Sequence, residues 1–228
     1  MLQVTCYRLQ VTVEEITIQE REQKHLVFRD TANLELLIRQ QKDSSVTVYL
    51  INLSGQNTEN KIKVLQEATG CDTQIYSLCI ARGTQQVDIT TNVRHEIGGG
   101  SSRQILKYIL ADNARCSFLG ELYIAPDAQK TDAQQTNRNL LLSATAKMRT
   151  EPQLEIYADD VKASHGASTG QLDESALFYM QQRGISIRSA RQLLMEAFAE
   201  EVISTIPNEE LQTGLRESVS SILSRISM

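Results

Sequence analysis

At 228 residues the chain is long enough to bury a substantial core, as one large domain or two small ones. A formal charge of −5 without a concentrated basic face argues against a nucleic-acid surface. There is no apolar run of about twenty residues and no charged-then-apolar leader, so neither a membrane span nor a secretory signal is expected, and a cytoplasmic location is.

From the N-terminus, LQVTCYRLQVTVEEITIQE alternates apolar and polar residues, with Leu9, Val11 and Val13 on one face and Ile16 and Ile18 in another register, which is a strand rhythm. After a charged turn at 20–24, short apolar runs follow with little helical periodicity: HLVF, LELLI, VTVYLINL, IKVL, TQIYSLCIA and VDITTNV. Gly55, Gly70, Gly83 and the triple Gly98, Gly99, Gly100 punctuate them, so turns are short and strands many. Such spacing admits a sandwich, a barrel or a solenoid, and no repeat unit separates the three. The four cysteines, Cys6, Cys71, Cys79 and Cys116, form no C-x-x-C pair. They argue against a self-contained zinc or cluster cage and read as reduced, buried, small apolar side chains.

Between 102 and 142 the pattern is mixed. Ile105, Leu106, Ile109 and Leu110 carry helical spacing, whereas ARCSFLGELYI (114–124) reads as a strand pair with Phe118, Leu122 and Ile124 on one face. The segment DAQKTDAQQTNRN (127–139) is almost wholly polar and in isolation reads as a surface loop. Leu154, Ile156 and Ala158 then restore the two-residue rhythm until Asp159 and Asp160 interrupt it. Neighbours on a strand point to opposite faces, so this acid pair does not converge on one substrate and reads as a turn.

The final third is helical. Asp173 is an N-cap for a helix through Arg183 that Gly184 stops, and Ser186 opens a second helix with Ala190, Leu193, Leu194, Ala197, Phe198 and Val202 on one apolar face. Pro207 ends it, and Asn208 caps a third helix striped by Leu211, Leu215, Val219, Ile222, Leu223 and Ile226. Three short amphipathic helices cannot enclose a core alone; they must lie on the strands, on each other or on a partner.

Two stretches in order, IAPDAQKTDAQQTNRNLLLS (124–143) and YADDVKASHGAS (157–168), followed by FYMQQRGI and AFAEEV, resemble the C-terminal part of the SufB/SufD iron-sulfur cluster assembly proteins, the SufD branch more closely. The resemblance implies a right-handed parallel β-helix, a solenoid, over 1–170 and a small helical region over 171–228. It makes 102–110 extended, and lays the polar 127–139 segment along the solenoid with its amides hydrogen-bonded between coils. A solenoid needs capped ends, a role open to the C-terminal helices. The family is usually longer, with an N-terminal helical region, whereas this chain is already in strands at its start.

The same resemblance implies a scaffold subunit rather than an enzyme. It would pair through its β-helix with a SufB-like subunit or a second copy of itself, and dock a SufC-like ABC ATPase on its C-terminal helices. ATP hydrolysis is expected in that partner, since no G-x-x-x-x-G-K-[ST] run occurs. His165, flanked by the small residues Ser164, Gly166 and Ala167, matches a family histidine and is the candidate ligand for iron or a transient, shared iron-sulfur cluster at the subunit interface. Taken alone, a single histidine reads as an ordinary hydrogen-bonded residue. Phe178, Tyr179, Arg183, Gly184, Ile185 and Phe198 occupy the family's FY-x-x-x-RGI and helix positions and are partner-binding candidates, with Phe178 and Phe198 also readable as burying against the strands.

Two departures qualify the site. Related SufD proteins read Cys-Ser-His where this chain has Ala163, and alanine offers no lone pair to iron or sulfur. In HEIGGGSSRQ, Gly99 and Gly100 stand where the family often has a further histidine and a cysteine, leaving His95 as a ligand or a polar strand residue. The alternative functions are a β-helix carbohydrate-active enzyme, which calls for converging acids and aromatics although aromatics are 5% and tryptophan is missing, and a free-standing structural module.

Overall fold

The computed structural model describes Gln3, Val4 and residues 12–226; Cys6, Leu9 and Val11 lie outside the described residues. Two sheets face each other. One contains β1 (Gln3–Val4), β3 (Gln23–Arg29), β5 (Ser45–Asn52), β7 (Asp72–Ala81), β9 (Ser101–Leu110), β11 (Asp132–Leu141) and β13 (Lys162–Gly170), hydrogen-bonded in that order. The other contains β2 (Thr12–Ile18), β4 (Asn33–Gln40), β6 (Thr58–Gln66), β8 (Gln86–His95), β10 (Arg115–Ile124) and β12 (Lys147–Ile156). The chain alternates between the sheets strand by strand and each pairing is parallel, so it winds as a parallel β-solenoid.

The alternation seen in the sequence sets which side chains enter the solenoid. In β8, Val87, Ile89 and Val93 are buried between more exposed neighbours, and in β10 Phe118, Leu122 and Ile124 do the same. Each such apolar side chain contributes about 1.5–3 kcal/mol relative to an exposed position. The 114–124 stretch is thus one ten-residue strand rather than a pair, because its corner falls before Arg115 and no turn residue interrupts it until Pro126. The 101–110 segment is extended, with Leu106, Tyr108 and Leu110 inside and Ile105 and Ile109 toward the opposite side.

Corners stack on corners. Gly98 is needed because a Cβ there would stand 2.3 Å from the Gln129 carbonyl oxygen of the next coil, and the Gly99 N–H donates to that same oxygen at 2.8 Å. Asp159 and Asp160 lie in the corresponding bend one coil further on. The Lys130 N–H donates to the Asp160 carbonyl, and the Asp160 N–H to Gln129 Oε1 at 2.8 Å. The polar 127–139 segment turns a corner over 127–131 and supplies most of β11 from Asp132 onward. Asn137 bridges to the Leu106 carbonyl and Asn139 to Ser168 and Thr169, whereas Gln135 makes no such bond.

The helices are α1 (Glu174–Gln182), α2 (Ile187–Ile203) and α3 (Glu209–Leu223), capped by Asp173, Ser186 and Asn208, whose side chains accept from first-turn N–H groups. They do not cap the solenoid. They fold back along the outer face of the β1-to-β13 sheet, where Met195, Ala199, Val202, Leu215 and Val219 join Tyr49, Ile51, Leu78, Ile80 and Ile109 in a second core. This is why β5 and β7 are buried on both faces. The buried stripe of α2 is rotated from the expected one: Leu193 is 46% exposed, and Met195, Ala199 and Ile203 point inward instead. Polar ties fix the docking. Tyr49 Oη donates to the Thr205 carbonyl at 2.5 Å, Arg29 donates to Ser218 Oγ at 3.0 Å, and the buried Lys107 ammonium donates to the Phe198 carbonyl at 3.1 Å and pairs with Glu201.

Candidate functional site

With the helices on the flank, the last coil stays open. The strands β12 and β13 are the terminal members of their sheets, each bonded on one side only, to β10 and β11. β13 is exposed along nearly its whole length. An edge with free backbone donors and acceptors is a template for adding another strand.

His165 sits in the middle of this edge, exposed, opposite Gln135 in the ladder. It follows the register of Ala163, which packs against the solenoid core, so the two residues share the inward-facing side of β13. Gly166 beside it leaves open space where a Cβ would stand. Beneath His165 the interior turns polar: Ile75, Gln104, Gln135 and His165 are successive partners on successive coils. Gln104 and Gln135 are almost fully buried, and neither their amides nor the Thr91 and Thr150 hydroxyls have a hydrogen-bond partner. Gly120 makes room for this polarity, since a Cβ there would meet the Gln135 amide nitrogen at 2.4 Å. Unsatisfied buried amides cost about 1–3 kcal/mol each, so this interior favours water or a hydrogen-bonding occupant over an apolar one.

His95 is placed differently. It is fully buried on β8, with Nε2 2.8 Å from Ser102 Oγ and Nδ1 unpartnered. Burial pushes its pKa down to about 4, so the ring is neutral at pH 7. It belongs to the core and does not converge with His165. Asp159 and Asp160 stand in a corner, away from any shared cleft.

The helix positions divide into two groups. Phe178 and Tyr179 are 63% and 60% exposed, so the expectation that Phe178 buries against the strands is overturned: Leu177 is the buried residue of α1, and the next position along the helix faces outward. Arg183 donates to Tyr179 Oη at 3.1 Å and lies 5.2 Å from its ring centre. Gly184 closes α1 with φ of +83°, and Ile185 beyond it is half-buried. Phe198, by contrast, packs inward, its ring 4.2 Å from the Lys107 ammonium. A groove of ≈ 520 Å³ between α2 and α3 has Leu193, Ala197 and Val219 along it and Glu196, Glu200 and Arg216 at its rim. Lys107 was missed from the sequence, although a lone lysine in the apolar run ILKYIL was the available signal.

Among the described residues no group of three or more histidine, cysteine or acidic side chains is arranged to hold a metal ion, and no helix is long and apolar enough to cross a membrane. The architecture is that of a parallel solenoid scaffold, helix-covered on one flank and open at one end. Sequence comparison defines it further. The family described as "SUF system FeS cluster assembly, SufBD core domain" matches residues 11–198. The chain is 37% identical over 183 residues to an iron-sulfur cluster assembly SufBD family protein of Synechocystis, covering 80% of this chain and 40% of that one. It is 42% identical over 146 residues to the iron-sulfur cluster assembly protein SufD of Escherichia coli, covering 64% and 34%, and 33% identical over 177 residues to SufD of Bacillus subtilis, covering 77% and 39%. The chain therefore belongs to the SufBD family of iron-sulfur cluster assembly proteins, and spans less than half the length of these relatives.

Proposed function

We propose that the chain is a non-enzymatic scaffold subunit of a Suf-type complex, joined at the open end of its solenoid to a SufB-like subunit or a second copy of itself. The carrying observation is the free edge of β13 with His165 at its centre above a polar interior. Strand addition at β12 and β13 would bring a partner's side chains to His165. Iron or an iron-sulfur cluster would be held there as cargo, because one imidazole and Ala163 supply too few ligands without a second chain. The exposed Phe178, Tyr179 and Arg183, next to the turn at Gly184 and Ile185, form the candidate docking face for a SufC-like ABC ATPase, and Phe198, packed inward beside Lys107, would act only by holding α2 on the strands.

Anaerobic co-purification with the SufB-like and SufC-like proteins of the same organism tests this reading, followed by iron and sulfide analysis of wild type and His165→Ala. A stable complex whose cluster content falls with His165→Ala is the expected result. A complex with unchanged content reduces the role to a structural one, and failure to associate overturns the proposal.

A further inference from the structure

The outer face of the β2-to-β12 sheet keeps most of its charges in pairs. Arg39 holds Glu15 and Glu67, Lys61 holds Glu35 and Glu59, Arg94 holds Glu96 at 2.7 Å, and Arg149 holds Glu151 at 2.7 Å. Arg115 and Lys147 break the pattern. They open β10 and β12 as direct ladder partners, both exposed, and among the described residues neither has a carboxylate within ion-pair distance. Like charges on neighbouring strands stand about 4.8 Å apart and repel, a cost that no protein group offsets here. Gln86, the partner of Arg115 on β8, adds an exposed amide to the same column. These residues line a surface hollow of ≈ 450 Å³ with Ser117, Met148 and Arg149; Asp88 is the one carboxylate of the lining, and the Ser117 hydroxyl engages it. The hollow also reaches the free edge of its sheet. The Lys147 N–H points back to the Ala114 carbonyl at 2.9 Å, and backbone direction alternates along a strand, so the Met148 N–H faces out from that edge.

We infer that this hollow binds a phosphate-type oxyanion, held by Arg115 and Lys147 with the Met148 N–H as a backbone donor. A guanidinium fork and an ammonium give such an ion charge-assisted hydrogen bonds, and a free N–H at a sheet edge adds a fixed dipole. The bound charge also relieves the repulsion between the two cations. A hollow of this size admits a phosphorylated small molecule as well as free phosphate. The site is separate from His165, which stands on the other sheet, and it does not depend on the scaffold reading.

The test titrates the full chain, labelled with nitrogen-15, with inorganic phosphate and with AMP at constant ionic strength, chloride being the reference anion. Saturable shifts of the Met148 amide and of its neighbours at Lys147 and Arg115 are expected. Arg115→Gln and Lys147→Gln, both at exposed positions that leave the core intact, should each weaken binding about tenfold. Lys63→Gln is the control, a cation on the same face that borders a different hollow, and it should bind like the parent. Tighter binding of AMP than of phosphate would assign the site to an organic phosphate, and equal or weaker binding would assign it to the free anion. Shifts that chloride reproduces, shifts spread alike over all surface cations, or an Arg115→Gln variant that binds like the parent would each overturn the site.

Discussion

Acidification should weaken this protein through one identifiable ring. His95 is neutral in the folded state with a pKa of about 4, against an ordinary value of 6.5 in the unfolded chain. Between those values the unfolded chain takes up a proton that the folded one refuses. The contribution is therefore fully present above pH 6.5 and lost as pH falls toward 4. At about 1.4 kcal/mol per pH unit, the interval is worth about 3 kcal/mol, a large part of a typical domain stability of about 5–15 kcal/mol. Carboxylates also destabilise in acid, so the measurement is a difference: urea unfolding of wild type and His95→Gln at pH 7, 6, 5 and 4. Glutamine retains a partner for Ser102 Oγ but does not titrate. Wild type should lose about 3 kcal/mol more than the variant over this range. Parallel stability curves for the two proteins would refute the assignment.

Two further outcomes follow from packing. Glu201→Gln keeps an acceptor beside the buried Lys107 ammonium but removes its counter-charge; because Glu201 is 42% exposed, solvent screening reduces the loss from the buried-pair range to about 1–2 kcal/mol, and adding Lys107→Met should restore most of it in denaturant melts. Gly120→Ala should cost about 1–3 kcal/mol in thermal unfolding, since the new methyl group meets both the Gln135 amide and the Phe118 ring; pairing it with Gln135→Ala should recover part of that loss.

Much of the fold could be read from the residues because local rules were obeyed locally. Asp173, Ser186 and Asn208 cap the helices they were expected to cap, Gly184 ends α1, and Asp159 and Asp160 turn the chain. Strand pairing was not legible, because coil length drifts: Gln23 partners Ser45, 22 residues on, whereas Ser101 partners Asp132, 31 residues on, and no fixed period survives. The parallel solenoid came from family resemblance, and the register supports it. The placement of the helices was written in the sequence but passed over. VTVYLINL and TQIYSLCIA are apolar on both faces, the pattern of strands covered on each side, which calls for helices on the flank rather than across the end. The rotation of α2 was hidden because it is apolar on more than one side; Leu193 and Ala197 border the outer groove while Met195 takes the core. At the open end, His165 was legible through its motif, whereas the amide column beneath it depends on which residues three coils place in line.

The flank packing also means that the helices act as a lining without which the solenoid is sticky. A chain ending at Gly170 would turn Tyr49, Ile51, Leu78, Ile80 and Ile109 out into water as an apolar strip running up several coils, beside the already unpaired edge of β13. Such a fragment would carry an adhesive wall and a bare strand together, and self-association rather than unfolding would be its first failure.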